Sequence, residues 1–103
     1  MIARVWRGES TPERAPRYVE HLERSVFPEL GKIEGHRRAY LLQRSTNERV
    51  SFLVVTLWDS MDAVRAFAGD DPERAVVEPA ARTELCAFDK TVDHYEVVLD
   101  RPA

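Results

Sequence analysis

Phe52-Leu-Val-Val-Thr-Leu-Trp58, followed at once by Asp59-Ser60-Met61-Asp62-Ala63, decides the fold. The first seven residues make a strand that is apolar on both faces. The next five open a helix, with Asp59 or Ser60 as its cap. A strand apolar on both faces must be covered on both sides, yet a chain of 103 residues builds only one modest core. The mismatch predicts a second copy of the chain over the remaining face. The same stretch sets an aromatic, Trp58, at a strand-to-helix junction, where pockets commonly open.

Upstream, Ile2 to Arg7 is rich in β-branched and aromatic residues and reads as a first strand closed by Gly8. Ser10-Thr-Pro-Glu13 has capping-box spacing, while Pro16 moves the continuous helix to start near Ala15. Ala15, Tyr18, Val19, Leu22, Val26 and Leu30 form its apolar stripe, and Pro28, Gly31 and Gly35 punctuate its exit. His36 to Arg44 is the second strand, residues 45–49 a polar loop, and Val50 to Trp58 the third strand. The second helix runs through Phe67 with Met61, Val64 and Phe67 inward, and Gly69 ends it. Short helices are expected at Asp70–Glu73 and at Pro79–Cys86, with Cys86 a small buried apolar residue. Thr91 to Leu99 is the last strand.

This β-α-β-β-α-β order predicts a single α+β domain over residues 1–103 with ferredoxin-like topology. The expected sheet order is 4-1-3-2, with strands 1 and 3 parallel and strands 2 and 4 at the edges. The two main helices lie on one face. The other face is apolar, and a homodimer would cover it.

Composition narrows the function classes. A net charge of −3 argues against a nucleic-acid partner, which calls for a basic surface. The lone cysteine, Cys86, excludes an intrachain disulfide and fits a reducing cytosol. No apolar run approaches the ~18 residues of a membrane span, and Met1-Ile-Ala-Arg-Val-Trp6 lacks the pattern of a signal peptide. A cytoplasmic protein without a membrane partner is expected. Glycine-rich phosphate loops, cysteine pairs, His-Glu-x-x-His and Gly-x-Ser-x-Gly are all absent from the sequence. The three histidines lack local ligand spacing, so no metal and no cofactor are expected.

A hairpin loop at 45–49 would set Arg44 opposite Val50, Tyr40 opposite Val54, Arg38 opposite Thr56 and His36 opposite Trp58. His36, Arg38, Tyr40, Thr56 and Trp58 would then share one face. Ala39, Leu41, Leu53, Val55 and Leu57 would make the other, wholly apolar. With strands 1 and 3 parallel, Trp6 and His94 would join the same end of the sheet, at the margin of a small-molecule pocket. The bland alternatives are a packed Trp58, solvated histidines, and Arg38 keeping an edge strand soluble.

Met1-Ile-Ala-Arg-Val-Trp-Arg-Gly8, Tyr18, Gly35-His-Arg-Arg-Ala-Tyr40, Leu57-Trp-Asp-Ser-Met-Asp-Ala63 and His94-Tyr-Glu-Val97 together resemble the antibiotic biosynthesis monooxygenase-like family of the dimeric α+β barrel superfamily. The most specific piece is Trp-x-Ser-x-x-Ala after the third strand. The resemblance implies a homodimer in which two sheets face each other as a barrel. Activities it implies are cofactor-independent oxygenation of aromatic polyketides and quinols, and haem degradation in a distinct branch. The polyketide oxygenases pair the tryptophan matched by Trp58 with an Asn and a Tyr, at positions that here hold Val54 and Val64. The haem branch uses an axial histidine on the second helix, and here that helix has none. Only Trp58 carries over by position.

Two functions follow. In the first, the chain is a small cofactor-independent monooxygenase acting on an aromatic, quinol-like molecule. His36 would take the proton, Arg38 would stabilise the anion, and Trp58 and Tyr40 would sandwich the ring. In the second, it is a non-catalytic dimeric module that binds a small molecule or serves in a stress response.

Overall fold

The computed structural model describes residues 1–103. Strand β3 (Val50–Trp58) lies in the middle of a five-stranded sheet, between β2 (His36–Ser45) and β1 (Ile2–Ser10). Two short strands, β4 (Ala87–Phe88) and β5 (Asp93–Glu96), both pair with the far side of β1. The order is the expected one, but the last strand, expected over Thr91 to Leu99, is only Asp93–Glu96, and β4 is a strand the sequence reading did not give. The architecture is α+β and ferredoxin-like.

Strand direction is corrected. β1 and β3 are antiparallel, with Ile2 opposite Trp58 and Trp6 opposite Val54. A crossover makes β1 and β2 parallel and the hairpin then reverses β3, so β3 must oppose β1. Trp6 therefore sits four residues, or about 13 Å, along the sheet from the Trp58 end.

The hairpin register is corrected too. Ser45 pairs with Val50, Tyr40 with Val55 and Arg38 with Leu57, one residue out from the simple loop reading. A β-bulge between His36 and Arg38 then restores His36 opposite Trp58. Its cause is non-local. Arg37 bonds the Asp59 carboxylate, and the Asp59 N–H donates to the Gly35 carbonyl at 2.8 Å. Gly35 has φ +87°, and a Cβ there would meet the Ala63 Cβ at 2.6 Å, so only glycine fits under the start of the next helix.

A one-residue slip exchanges the faces. Arg38, Tyr40 and Leu42 join Leu53, Val55 and Leu57 on the open face, together with Ala3, Val5 and Tyr95 of the strands beyond. Ala39 and Leu41 turn to the helix side opposite Thr56 and Val54. The open face keeps its apolar centre. Tyr40, Leu42 and Tyr95 on it are 40%, 47% and 54% exposed.

On the helix side, α1 (Ala15–His21), a π turn (Leu22–Val26) and α2 (Phe27–Leu30) run on without a break. Pro28 explains the wide turn, because it has no N–H and its ring would strike the Arg24 carbonyl of a regular helix. Ser10 caps nothing: it ends β1, and its hydroxyl donates to the Glu84 carbonyl. Ser60 caps α3 (Met61–Ala68), its Oγ accepting from the Ala63 N–H at 3.2 Å, and Gly69 closes it. Residues 70–73 form no helix, and the next one, α4, is only Pro79–Arg82. Cys86 is exposed rather than buried, and its sulfur accepts from Arg49 Nη1 at 2.7 Å. No helix is long and apolar enough to cross a membrane.

Candidate functional site

Buried residues of the helix side fall into two clusters. One surrounds Trp6, Tyr18, Leu22, Phe52 and Ala81. The other is Leu30, Trp58 and Val64, with Phe67 and Ile33 packed on it. Between them lies a cavity of about 150 Å³. Thirteen of its seventeen lining residues are hydrophobic, among them Trp6, Leu22, Phe27, Val54 and Phe67. The π turn supplies Leu22 and Val26 to its wall, a place where such turns recur in functional sites.

The polar groups in this wall are few. Arg4 enters from β1, where alternation puts Ile2, Arg4 and Trp6 on the helix side. Thr56 enters from β3. Its Oγ accepts from the Trp58 indole N–H at 2.9 Å and keeps its own proton to donate. Tyr18 contributes a hydroxyl whose pKa is driven well above the usual tyrosine range by burial. Glu29 and Glu78 complete the polar part of the lining.

Arg4 is 5% exposed. Its Nη1 donates to the Pro72 carbonyl and to His94 Nε2 at 3.0 Å, and its Nη2 donates to the Arg74 carbonyl at 2.9 Å. Its guanidinium carbon stands 5.8 Å from the Phe67 ring centroid, in cation–π range. Sequence reading passed Arg4 over. The signal was present: a charged residue at an inward position of a strand whose inward neighbours are Ile2 and Trp6.

The residues singled out from sequence separate into three groups. Trp6 is a wall of the cavity, its indole N–H held by the Asp89 carbonyl at 2.8 Å. His94 stands at the margin, bonded to Arg4. Trp58 and His36 lie behind the wall. Trp58 is 0% exposed and stacks on Phe67 at 5.2 Å, and His36 meets its edge at 5.0 Å. Burial lowers the His36 pKa, and a hydrogen bond with the Arg38 backbone pulls the other way. Arg38 and Tyr40 leave the site altogether. They stack on one another across 5.1 Å on the open face, because the hairpin register that pairs Ser45 with Val50 places them opposite Leu57 and Val55. No three His, Cys, Asp or Glu side chains converge in a way that could hold a metal ion.

The family model of antibiotic biosynthesis monooxygenase matches residues 1–79. No curated protein matches the chain by sequence. By shape it is similar to a Bacillus cereus protein provisionally named an antibiotic biosynthesis monooxygenase, with a TM-score of 0.70 and 16% identity over 99% of this chain and 97% of that one. It is also similar to the haem degrader MhuD of Mycobacterium tuberculosis with two haems bound in its active site. There the TM-score is 0.63 and the identity 21%, over 99% of this chain and all (100%) of that one. A variant of MhuD with two manganese protoporphyrin IX per active site gives 0.64 and 22%, over 100% of both chains. At these identities the structural likeness is one of fold. The family match spans most of the sequence, and the chain belongs to the antibiotic biosynthesis monooxygenase family.

Proposed function

We propose that this protein is a homodimer that takes a single-ring aromatic molecule into the helix-side cavity and oxygenates it without a cofactor. The observation that carries the reading is the cavity itself. An apolar cavity of about 150 Å³ is the size known to hold benzene. A deprotonated phenol- or quinol-like substrate can itself reduce dioxygen. One oxygen atom enters the product, and the other leaves as water with two substrate hydrogens. The protein then has to bind the ring, hold its oxyanion and exclude bulk water, which this wall is suited to do.

A haem does not fit the residues present. The wall holds no histidine, cysteine or methionine, burial keeps the hydroxyl of its one tyrosine, Tyr18, protonated rather than a ligating phenolate, and the space is that of one ring rather than a macrocycle. The dimer rests on the open face, where Leu53, Val55 and Leu57 stand beside exposed Tyr40, Leu42 and Tyr95.

One observation favours the second reading, binding without turnover. No histidine lines the cavity, and Trp58 with His36 lies behind Phe67. An oxygen electrode separates the two. Substituted phenols and hydroquinones are added to purified protein, with ligand-induced thermal shift read in parallel. Oxygen uptake above the rate without protein supports the oxygenase. A thermal shift without uptake leaves the binding module.

A further inference from the structure

Arg4 is a buried cation without a counter-ion. Its three acceptors are two backbone carbonyls and an imidazole nitrogen, and it enters none of the ion pairs of the chain. A guanidinium has five N–H donors. Nη1 spends both of its own and Nη2 one, which leaves Nε–H and one Nη2–H, on adjacent nitrogens, without a protein acceptor. Burial without an opposite charge costs several kcal/mol. Desolvation accordingly lowers the Arg4 pKa from its ordinary value. The same guanidinium is the one cationic side chain in the wall of a mostly apolar cavity, whose two carboxylates are already partnered, Glu29 by Lys32 at 3.0 Å and Glu78 by His21 at 3.3 Å.

We infer that the cavity selects an anion: a single aromatic ring carrying a carboxylate or phenolate oxygen, which the two unspent N–H groups of Arg4 bind while the ring packs against Trp6, Val54 and Phe67. This rests on the ligand-pocket reading above and names the chemistry of its occupant. Two adjacent N–H donors match one oxyanion or the two oxygens of a carboxylate. A ligand anion supplies the missing counter-charge at a guanidinium that is 5% exposed, where the attraction is stronger than between charges in water. His94 and the carbonyls of Pro72 and Arg74 hold the guanidinium in place, so its orientation is set before the ligand arrives.

The experiment measures binding of benzoate and 4-nitrophenolate against their neutral isosteres benzamide and 4-nitroaniline, with nitrobenzene as the bare-ring probe, by calorimetry at neutral to slightly alkaline pH. The wild-type protein is expected to hold at least one anion about tenfold tighter than its isostere, the worth of one charged hydrogen bond. The two anions distinguish a carboxylate site from a phenolate site. In Arg4→Gln that preference should vanish while nitrobenzene binding persists. Equal affinity for anion and isostere in the wild type, or an unchanged preference in Arg4→Gln, overturns the inference and leaves the ring pocket standing. Failure of every ring compound to bind overturns the pocket reading as well. Should Arg4→Gln not fold, the wild-type comparison decides alone.

Discussion

His94 Nε2 accepts a hydrogen bond from Arg4 Nη1 at 3.0 Å. An imidazole in that position must be neutral, with its proton on Nδ1, because a protonated ring has no lone pair to offer the guanidinium. Burial lowers the His94 pKa most, and the charge of Arg4 adds to it, with Arg65 a smaller contributor in the same direction. Glu73 and Asp93 act in the opposite sense. The pair ties β5 to β1 and sets the guanidinium at the cavity.

A pH dependence of stability follows. His36 and His94 both have folded pKa values below the ordinary histidine value of about 6.5. Below about pH 6.5 the unfolded chain binds protons that the folded chain refuses, so stability is full above that pH and falls as the pH drops through the lowered values. Urea midpoints at neutral pH and at about pH 5.5 should show this loss, and His36→Asn with His94→Asn together should flatten it. An unchanged slope in the double variant would count against both placements.

Trp58 is a structural anchor before it is anything else. Trp58→Ala removes a fully buried side chain stacked on Phe67 and should cost about 3–5 kcal/mol in chemical denaturation. His36→Ala should leave the fold nearly intact and does not touch the cavity wall. If His36→Ala abolishes oxygen uptake or ring binding while the fold survives, His36 has the direct role that its place behind Trp58 argues against.

Gly8 is held small by a neighbour rather than by its backbone. A Cβ there would meet the Trp6 ring at 2.6 Å. Gly8→Ala should destabilise by about 1–3 kcal/mol through overpacking and push the indole toward the cavity. A reduced affinity for nitrobenzene in a folded Gly8→Ala protein would register that shift, and wild-type stability and affinity would refute it.

The homodimer is expected to bury more than ~2,000 Å² through the open face, as obligate interfaces do. Light scattering should report two chains for the wild type. Val55→Asp, at the middle of that face and opposite Tyr40 and Val5, should give monomer or aggregate. A wild-type monomer at micromolar concentration would refute the dimer.

The order of the main elements, the inward and outward sides of β3, the helix cap at Asp59 or Ser60 and the Gly69 stop were legible in the sequence, because each rests on spacing or on chemistry within a few residues. The need for a cover over the second sheet face was legible for the same reason, since Leu53, Val55 and Leu57 alternate with Phe52, Val54 and Trp58, which already fill the helix side. The site was not. Side-chain alternation has a period of two, so a hairpin loop one residue shorter than 45–49 carried Arg38 and Tyr40 to the opposite face, and the bulge at Arg37 returned only His36 to Trp58. That bulge depends on Asp59, Gly35 and Ala63, which meet only once α3 has docked. The antiparallel run of β1 and β3 moved Trp6 into the cavity wall and away from Trp58. Arg4 gained its meaning from Pro72, Arg74 and His94, residues 68, 70 and 90 positions distant in the chain. Contacts at such separations leave no periodicity in the sequence, and tertiary structure alone decided which polar groups face the cavity.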